Sequence, residues 1–272
     1  MVKTRKNKQD EEQGQEQDEE QVKSEEGENS KLRIIPIQPE EQESEVKKVL
    51  HPNLPDIYKG QLLCLVAPIR AGKGVLWNNL LLNENMFLDL FKDTHIISNS
   101  ISSDSSSRFS YQKFRHNCHE IYSDKIINDI IKHQKAKIAN EDADTSFCLI
   151  LDDLLGQFPK NGRKGMAAIN FSSRFRHQVR KPDPVMLIYS TQRYYDLNKV
   201  VRNCATGLFF SGMIKSTKEW EQIIDDYGDT FGGHAKFNEM IKEVQKEPYQ
   251  WLYLKMDSTP PEAFKNFTIK LF

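Results

Sequence analysis

From Leu54 onward, apolar runs alternate with amphipathic segments, and run length separates strands from helices. Residues 61–66 (QLLCLV), 94–98 (THIIS), 147–151 (FCLIL), 185–190 (VMLIYS) and 207–211 (GLFFS) are short and almost continuously apolar. That is the pattern of strands buried on both faces. Residues 249–255 are predicted as a last strand. Helices are predicted over 75–91 with a break near 83–85, and over 165–179, 217–227 and 235–244. A further helix is predicted over 124–139, where Ile126, Ile127, Ile130, Ile131 and Ile138 fall at helical spacing. Residues 99–110 are rich in serine and read as a loop. Strands alternating with helices imply an α/β fold with a mainly parallel sheet flanked by helices.

The first part of the chain has a different composition. Residues 1–45 hold 14 Asp/Glu against 7 Lys/Arg, so of the overall charge of -1 the remainder carries about +6. The first 30 residues have almost no apolar side chain and cannot bury enough surface to offset their conformational entropy. An acidic, largely disordered tail is therefore expected over 1–50, with an apolar island at 32–37 (LRIIPI), and a folded domain over 51–272. The mildly basic body suits a polyanionic partner such as nucleic acid, and equally a soluble domain with none. Cys64, Cys118, Cys148 and Cys204 are far apart in sequence, which excludes a CxxC or zinc-knuckle spacing and suits a reducing compartment. No run of about 18 apolar residues and no leader-like apolar stretch occurs, so neither a membrane nor a secretory route is expected.

The first strand runs into Ala67, Pro68, Ile69, Arg70, Ala71, Gly72, Lys73 and Gly74, and a helix beginning near Val75 follows. A phosphate-binding loop asks for G-x-x-x-x-G-K-[ST] between a strand and a helix. Gly72 and Lys73 match; Ala67 replaces the first glycine and Gly74 the hydroxyl residue. Backbone N–H groups at a helix start point at phosphates, aided by the helix dipole. Lys73 adds a point charge. The missing hydroxyl removes a direct ligand to magnesium.

The third strand ends in Asp152-Asp153. An apolar strand closing on two carboxylates downstream of a phosphate loop is the Walker B arrangement: Asp152 to hold Mg²⁺, Asp153 to polarise the attacking water and share in metal binding. Taken alone, the pair could equally start a turn. The fourth strand ends in Ser190-Thr191-Gln192, where Gln192 can sense the γ-phosphate. Between them, residues 172–181 carry four Arg or Lys. One of these can act as an arginine finger, and others can face DNA phosphates or simply water.

Taken in order, the phosphate loop, Asp152-Asp153, Arg176-His177, Ser190-Thr191-Gln192 and Val201-Arg202-Asn203 resemble the poxvirus-type genome-packaging ATPases of large DNA viruses, virophages and Polinton-like elements, in the FtsK–HerA division of P-loop motors. The resemblance spans about residues 57–255. It implies a RecA-like (ASCE) P-loop NTPase core in which one strand separates the phosphate-loop strand from the acidic strand. It implies ATP and Mg²⁺ as ligands and a homo-oligomeric ring, commonly a hexamer. The activity it implies is moving double-stranded DNA, without sequence preference, into a capsid whose proteins are partners. The expected location is the host cytoplasm, a virus factory or the virion. By position, Lys73 contacts phosphate, Asp152 and Asp153 handle metal and water, Gln192 is the sensor, and Arg176 or Arg202 is the finger.

Two other classes stay open. A HerA-like or plasmid-transfer DNA pump is not separated from a viral one by these residues. A nucleotide-binding scaffold without turnover is favoured by Gly74. A GTPase switch is disfavoured, because no Asn-Lys-x-Asp motif follows the fourth strand.

Overall fold

The computed structural model describes residues 48–141, 143–154 and 165–272; the expected acidic tail up to residue 47, with its apolar island, lies outside them. Among the described residues, nine strands form one sheet: β1 Gln61–Val66, β2 Asp93–Ser98, β3 Cys118–His119, β4 Phe147–Asp152, β5 Val185–Thr191, β6 Gly207–Ser211, β7 Trp251–Lys255, β8 Glu262–Lys265 and β9 Ile269–Lys270. Their spatial order is β3-β2-β4-β5-β1-β6-β7-β8-β9. The pairings from β3 through β6 are parallel, and β7 to β9 add antiparallel strands at one edge. β5 lies between β1 and β4, which is the insertion that the resemblance implies.

The composition of β1 shows why the sheet is central. Leu62, Cys64 and Val66 enter one apolar cluster and Leu63, Leu65 and Ala67 the other, so alternate residues serve opposite faces. Helix α1, Lys73–Leu82, covers the second face with Trp77, Leu80 and Leu81. α2 is Arg108–Phe114. On the first face lie α3 (Asp124–Ile138), α4 (Met166–Ser172), α5 (Lys199–Cys204), α6 (Thr217–Tyr227) and α7 (His234–Gln245). α3 starts on Ser123, whose hydroxyl accepts from Ile126 N, and α6 on Ser216, which accepts from Glu219 N in the same way.

Register brings the polar strand ends together. Val66 pairs with Thr191, Asp152 with Ser190, and Ser98 with Asp152, so β1, β2, β4 and β5 end at one level. In parallel α/β sheets, ligands bind outside such carboxyl ends.

Several segments differ from their expected form; the helix expected over 75–91, for one, ends at Leu82 and does not resume after residues 83–85. The serine-rich loop contains a 3-10 turn at Ser105–Ser107 and the start of α2, because the Asp104 carboxylate accepts from Ser106 N at 3.0 Å and begins a turn. The helix expected over 165–179 stops at Ser172 and resumes as a 3-10 turn at Phe175–Gln178. Ser172 Oγ donates to Ala168 O at 2.9 Å and Ser173 Oγ to Asn170 O at 3.0 Å, competing with the helical ladder. α5 was not expected; it is six residues long and begins on Asn198, whose side chain accepts from Val200 N.

Candidate functional site

The loop from Ala67 to Gly72 leaves the buried end of β1 and turns back into α1. Ala67 N donates to Thr191 O at 3.1 Å, which ties the loop to the end of β5, and Ala71 N donates to Pro68 O at 3.3 Å. Arg70 and Gly72 have left-handed φ values of 60° and 89°. Glycine at 72 takes that conformation without cost. Ala67 is not among the residues with positive φ, and its side chain is buried beside Leu63 and Leu65. The turn therefore does not need a glycine there, which accounts for the first departure from the pattern.

Lys73 opens α1 and is 7% exposed. Its Nζ donates to Ala67 O at 3.1 Å and stands 3.4 Å from Asp153 Oδ1. The lysine is thus folded over the loop's own concave face. The first N–H groups of α1 have no partner within the helix.

The two carboxylates differ. Asp152 ends β4 and is buried; Ser98 Oγ donates to its Oδ2 at 3.0 Å. Oδ1 is buried and meets no donor at hydrogen-bond geometry among the described residues, although the Ser190 hydroxyl lies close enough to favour its charged form. Burial pushes Asp152 up to about 6; the charge of Asp153 adds to this, and the Ser190 and Ser98 hydroxyls and Lys73 oppose it. Asp153 has a left-handed φ of 48°, and its N–H donates to Ser190 O at 3.0 Å. An aspartate held in that region marks a constrained position.

These groups line one cavity of about 790 Å³. Ile69, Arg70, Gly72, Lys73, Gly74 and Val75 form one wall, and Asp152 and Asp153 another. Ser100, Asp104 and Ser106 come from the serine-rich segment. Tyr249, Trp251, Asn266 and Phe267 come from the antiparallel edge. Sequence reasoning missed both of these last groups. The only signal for the first was Asp104 ahead of three serines, a turn signature; the second lies far along the chain with no motif to mark it. A cation fits the acidic wall, since the buried Asp152 Oδ1 meets no donor at hydrogen-bond geometry among the described residues, and Asp153 and the Ser100, Asp104 and Ser106 oxygens share the cavity.

Gln192 follows Thr191 directly, at the end of β5 between Asp152 and Ala67, and is partly buried. Arg176 is elsewhere. Its Cγ lies 2.7 Å from where a Cβ on Gly60 would sit, so it packs at the amino end of β1. A six-residue strand puts about 20 Å between that end and the phosphate loop. Arg202 is also remote, since Thr206 just after α5 donates to Leu62 O at the start of β1. Arg202 pairs with Asp226 at 2.7 Å and lies 4.7 Å over the Tyr194 ring. Within one chain, the loop, Asp152 and Asp153 line one cavity; Gln192 sits one residue beyond the neighbouring end of β5 but is not among the residues lining it, and the two arginines do not join them.

No family model and no curated protein matches the chain in sequence. In fold it is similar to the genome packaging NTPase B204 from Sulfolobus turreted icosahedral virus 2 in complex with ATP-gammaS, at TM-score 0.50 and 19% identity over 76% of this chain and 98% of that one. The complex of B204 with AMP gives TM-score 0.50 and 18% identity over 76% and 97%. The pCW3 conjugation coupling protein TcpA, in its monomer form with ATPgS, aligns at TM-score 0.48 and 9% identity over 79% of this chain and 60% of that one. The chain has the mainly parallel α/β fold of the P-loop NTPases, and the structures it resembles include viral genome-packaging NTPases.

Proposed function

We propose that the chain is an ATP hydrolase that drives double-stranded DNA into a preformed viral capsid. It acts as a homo-oligomeric ring, a hexamer by analogy with the family it resembles, in the host cytoplasm or virus factory or on the virion. One observation carries the reading: the phosphate loop, Lys73 and the Asp152-Asp153 pair meet at the carboxyl ends of β1 and β4, with β5 between them, on a fold shared with named genome-packaging NTPases.

The roles follow from chemistry. The α1 N-terminus and Lys73 hold the β- and γ-phosphates of ATP. Asp152 and Asp153 hold magnesium, which neutralises charge on the phosphate oxygens when bound. Asp153 is the more exposed carboxylate of the pair and orients the attacking water, accepting its proton. Gln192, one residue beyond β5, is the γ-phosphate sensor and relays its loss along that strand. Arg176, too far from its own loop, serves as the finger for a neighbouring copy's nucleotide. DNA is held through its phosphates by the basic body, so binding weakens steeply with salt.

The test is ATP hydrolysis with Mg²⁺, with and without long duplex DNA, beside folded Lys73→Ala and Asp153→Asn variants. DNA-stimulated turnover lost in both variants is the expected result. Nucleotide binding with no turnover, with DNA and with empty capsids present, overturns the motor reading. It would favour the scaffold reading, which Gly74 supports by removing a metal ligand from the loop.

A further inference from the structure

The loop's second departure, glycine at position 74, has a structural counterpart. A Cβ built on Gly74 would lie 2.5 Å from Ser106 Oγ and 3.4 Å from Asp104 Oδ2. The space in which a serine or threonine at 74 would hold its hydroxyl is therefore already taken by the hydroxyl of Ser106. Both Gly74 and Ser106 face the cavity that Lys73, Asp152 and Asp153 line.

We infer that Ser106 supplies, from the turn after β2, the metal-binding hydroxyl that the phosphate loop lacks. This rests on the ATP-site reading above and concerns which side chain completes it. A hydroxyl can ligate a cation only if its proton points elsewhere. Ser106 Oγ donates that proton to Asp104 Oδ2 at 2.6 Å, which leaves its lone pairs free. Asp104 is fixed in turn by accepting from Ser106 N at 3.0 Å. A second anchor holds the segment against α1: Ser110 Oγ donates to Asn78 Oδ1, and Asn78 Nδ2 donates to Gly74 O at 2.7 Å. The turn is thus tied to the carbonyl of the residue it compensates. An independent observation points to a cation in the same cavity: Asp152 is 7% exposed, and its buried Oδ1 meets no donor at hydrogen-bond geometry among the described residues, with the Ser190 hydroxyl close by.

Glycine at 74 and serine at 106 are then one device, and neither can change alone. A serine placed at 74 on its own drives its Cβ into Ser106 Oγ. Removing the 106 side chain at the same time vacates the space and returns the hydroxyl to the loop.

The test uses the full chain with a non-hydrolysable ATP analogue (AMPPCP) and Mn²⁺, reading bound Mn²⁺ from the loss of the free-ion EPR signal. Ser106→Ala is expected to weaken Mn²⁺ binding in the AMPPCP complex by about tenfold or more, and Asp104→Asn by about tenfold. AMPPCP affinity in EDTA stays unchanged in both. Gly74→Ser alone is expected to bind Mn²⁺ poorly, and Gly74→Ser with Ser106→Gly to recover most of the wild-type affinity. Ser106→Cys is expected to shift preference from Mn²⁺ toward Cd²⁺, which a purely structural role for Ser106 would not produce. Unchanged Mn²⁺ affinity in Ser106→Ala, with AMPPCP binding still abolished by Lys73→Ala, overturns this inference and spares the ATP site. A wild type that binds no AMPPCP at all overturns both.

Discussion

Lys73 Nζ lies 3.4 Å from Asp153 Oδ1, so the cation placed to hold phosphate is paired with the carboxylate placed to activate water. Incoming phosphate must compete with Asp153 for the lysine, and the exchange frees Asp153 when substrate is present. Asp153→Asn is therefore expected to bind ATP several-fold more tightly than wild type, since removing a partly exposed competing charge changes binding by about 1 kcal/mol. Hydrolysis should fall by about a hundredfold or more with the loss of the base. Nucleotide affinity by fluorescence titration and single-turnover hydrolysis separate the two effects. Weaker ATP binding in this variant would show that Asp153 positions the lysine rather than competing for phosphate.

The two arginines are expected to separate cleanly. Arg176 is exposed, 5.7 Å from the Phe175 ring, and its guanidinium forms no ion pair among the described residues. Arg176→Ala should leave stability within about 0.5 kcal/mol of wild type and lower turnover of the assembled oligomer by about a thousandfold if it is the finger. Arg202 is held by Asp226 and Tyr194 in its own chain. Arg202→Ala should cost about 1–3 kcal/mol of stability from the lost pair, ring contact and buried donors. Chemical denaturation beside ATPase assays of mixed wild-type and variant oligomers distinguishes them. Arg202→Ala that unfolds like wild type yet poisons mixed oligomers would exchange the two roles.

Legibility followed sequence locality. The strands and the residues at their ends were readable because each is a contiguous apolar run with a polar stop, and parallel register aligns those stops. The phosphate loop and Asp152-Asp153 converge for that reason, with Gln192 one residue beyond the end of β5. The inserted position of β5 came from the resemblance, since strand order leaves no periodic trace in sequence. The Gly74–Ser106 relationship was hidden because it joins α1 to a turn that reads as a featureless serine run. The edge strands β8 and β9 are four and two residues long, too short for periodicity to register. The remoteness of Arg176 and Arg202 depends on which end of β1 each packs against, which spacing along the chain does not encode.

Tyr249 is expected to contribute to nucleotide affinity. It has a φ of 61°, is 58% exposed, and its Cδ1 lies 3.8 Å from where a Cβ on Gly72 would sit. A bulky residue in left-handed backbone, with its ring over the phosphate loop, offers a face for a base beside Phe267. Tyr249→Ala should weaken ATP binding by about fivefold or more, in keeping with about 1–3 kcal/mol for an aromatic–base stack, and Tyr249→Phe should not. The loss should be similar for ATP and GTP but absent for inorganic triphosphate. Equal loss for triphosphate would mean that the residue shapes the loop and does not touch the base.

Acid sensitivity is expected to centre on His95. Its ring packs 5.9 Å from that of Phe147 in the sheet, and its buried Nδ1 has no hydrogen-bond partner among the described residues. Burial lowers its pKa to about 4; Asp93 opposes this, while His119, His133 and Lys137 reinforce it. Asp93 is itself engaged by Lys137 at 2.8 Å and His133 at 3.4 Å, so little of its charge is left to support a protonated His95. With the folded value below the unfolded one, the unfolded chain binds more protons between pH 6.5 and 4, and stability falls as pH drops through that window. The slope attributable to His95 approaches about 1.4 kcal/mol per pH unit, the limit for one proton. Denaturant unfolding at steps from pH 7.5 to 4.5 should show wild type declining more steeply than His95→Leu. Parallel profiles would mean that carboxylates elsewhere, and not this imidazole, set the acid limit of the fold.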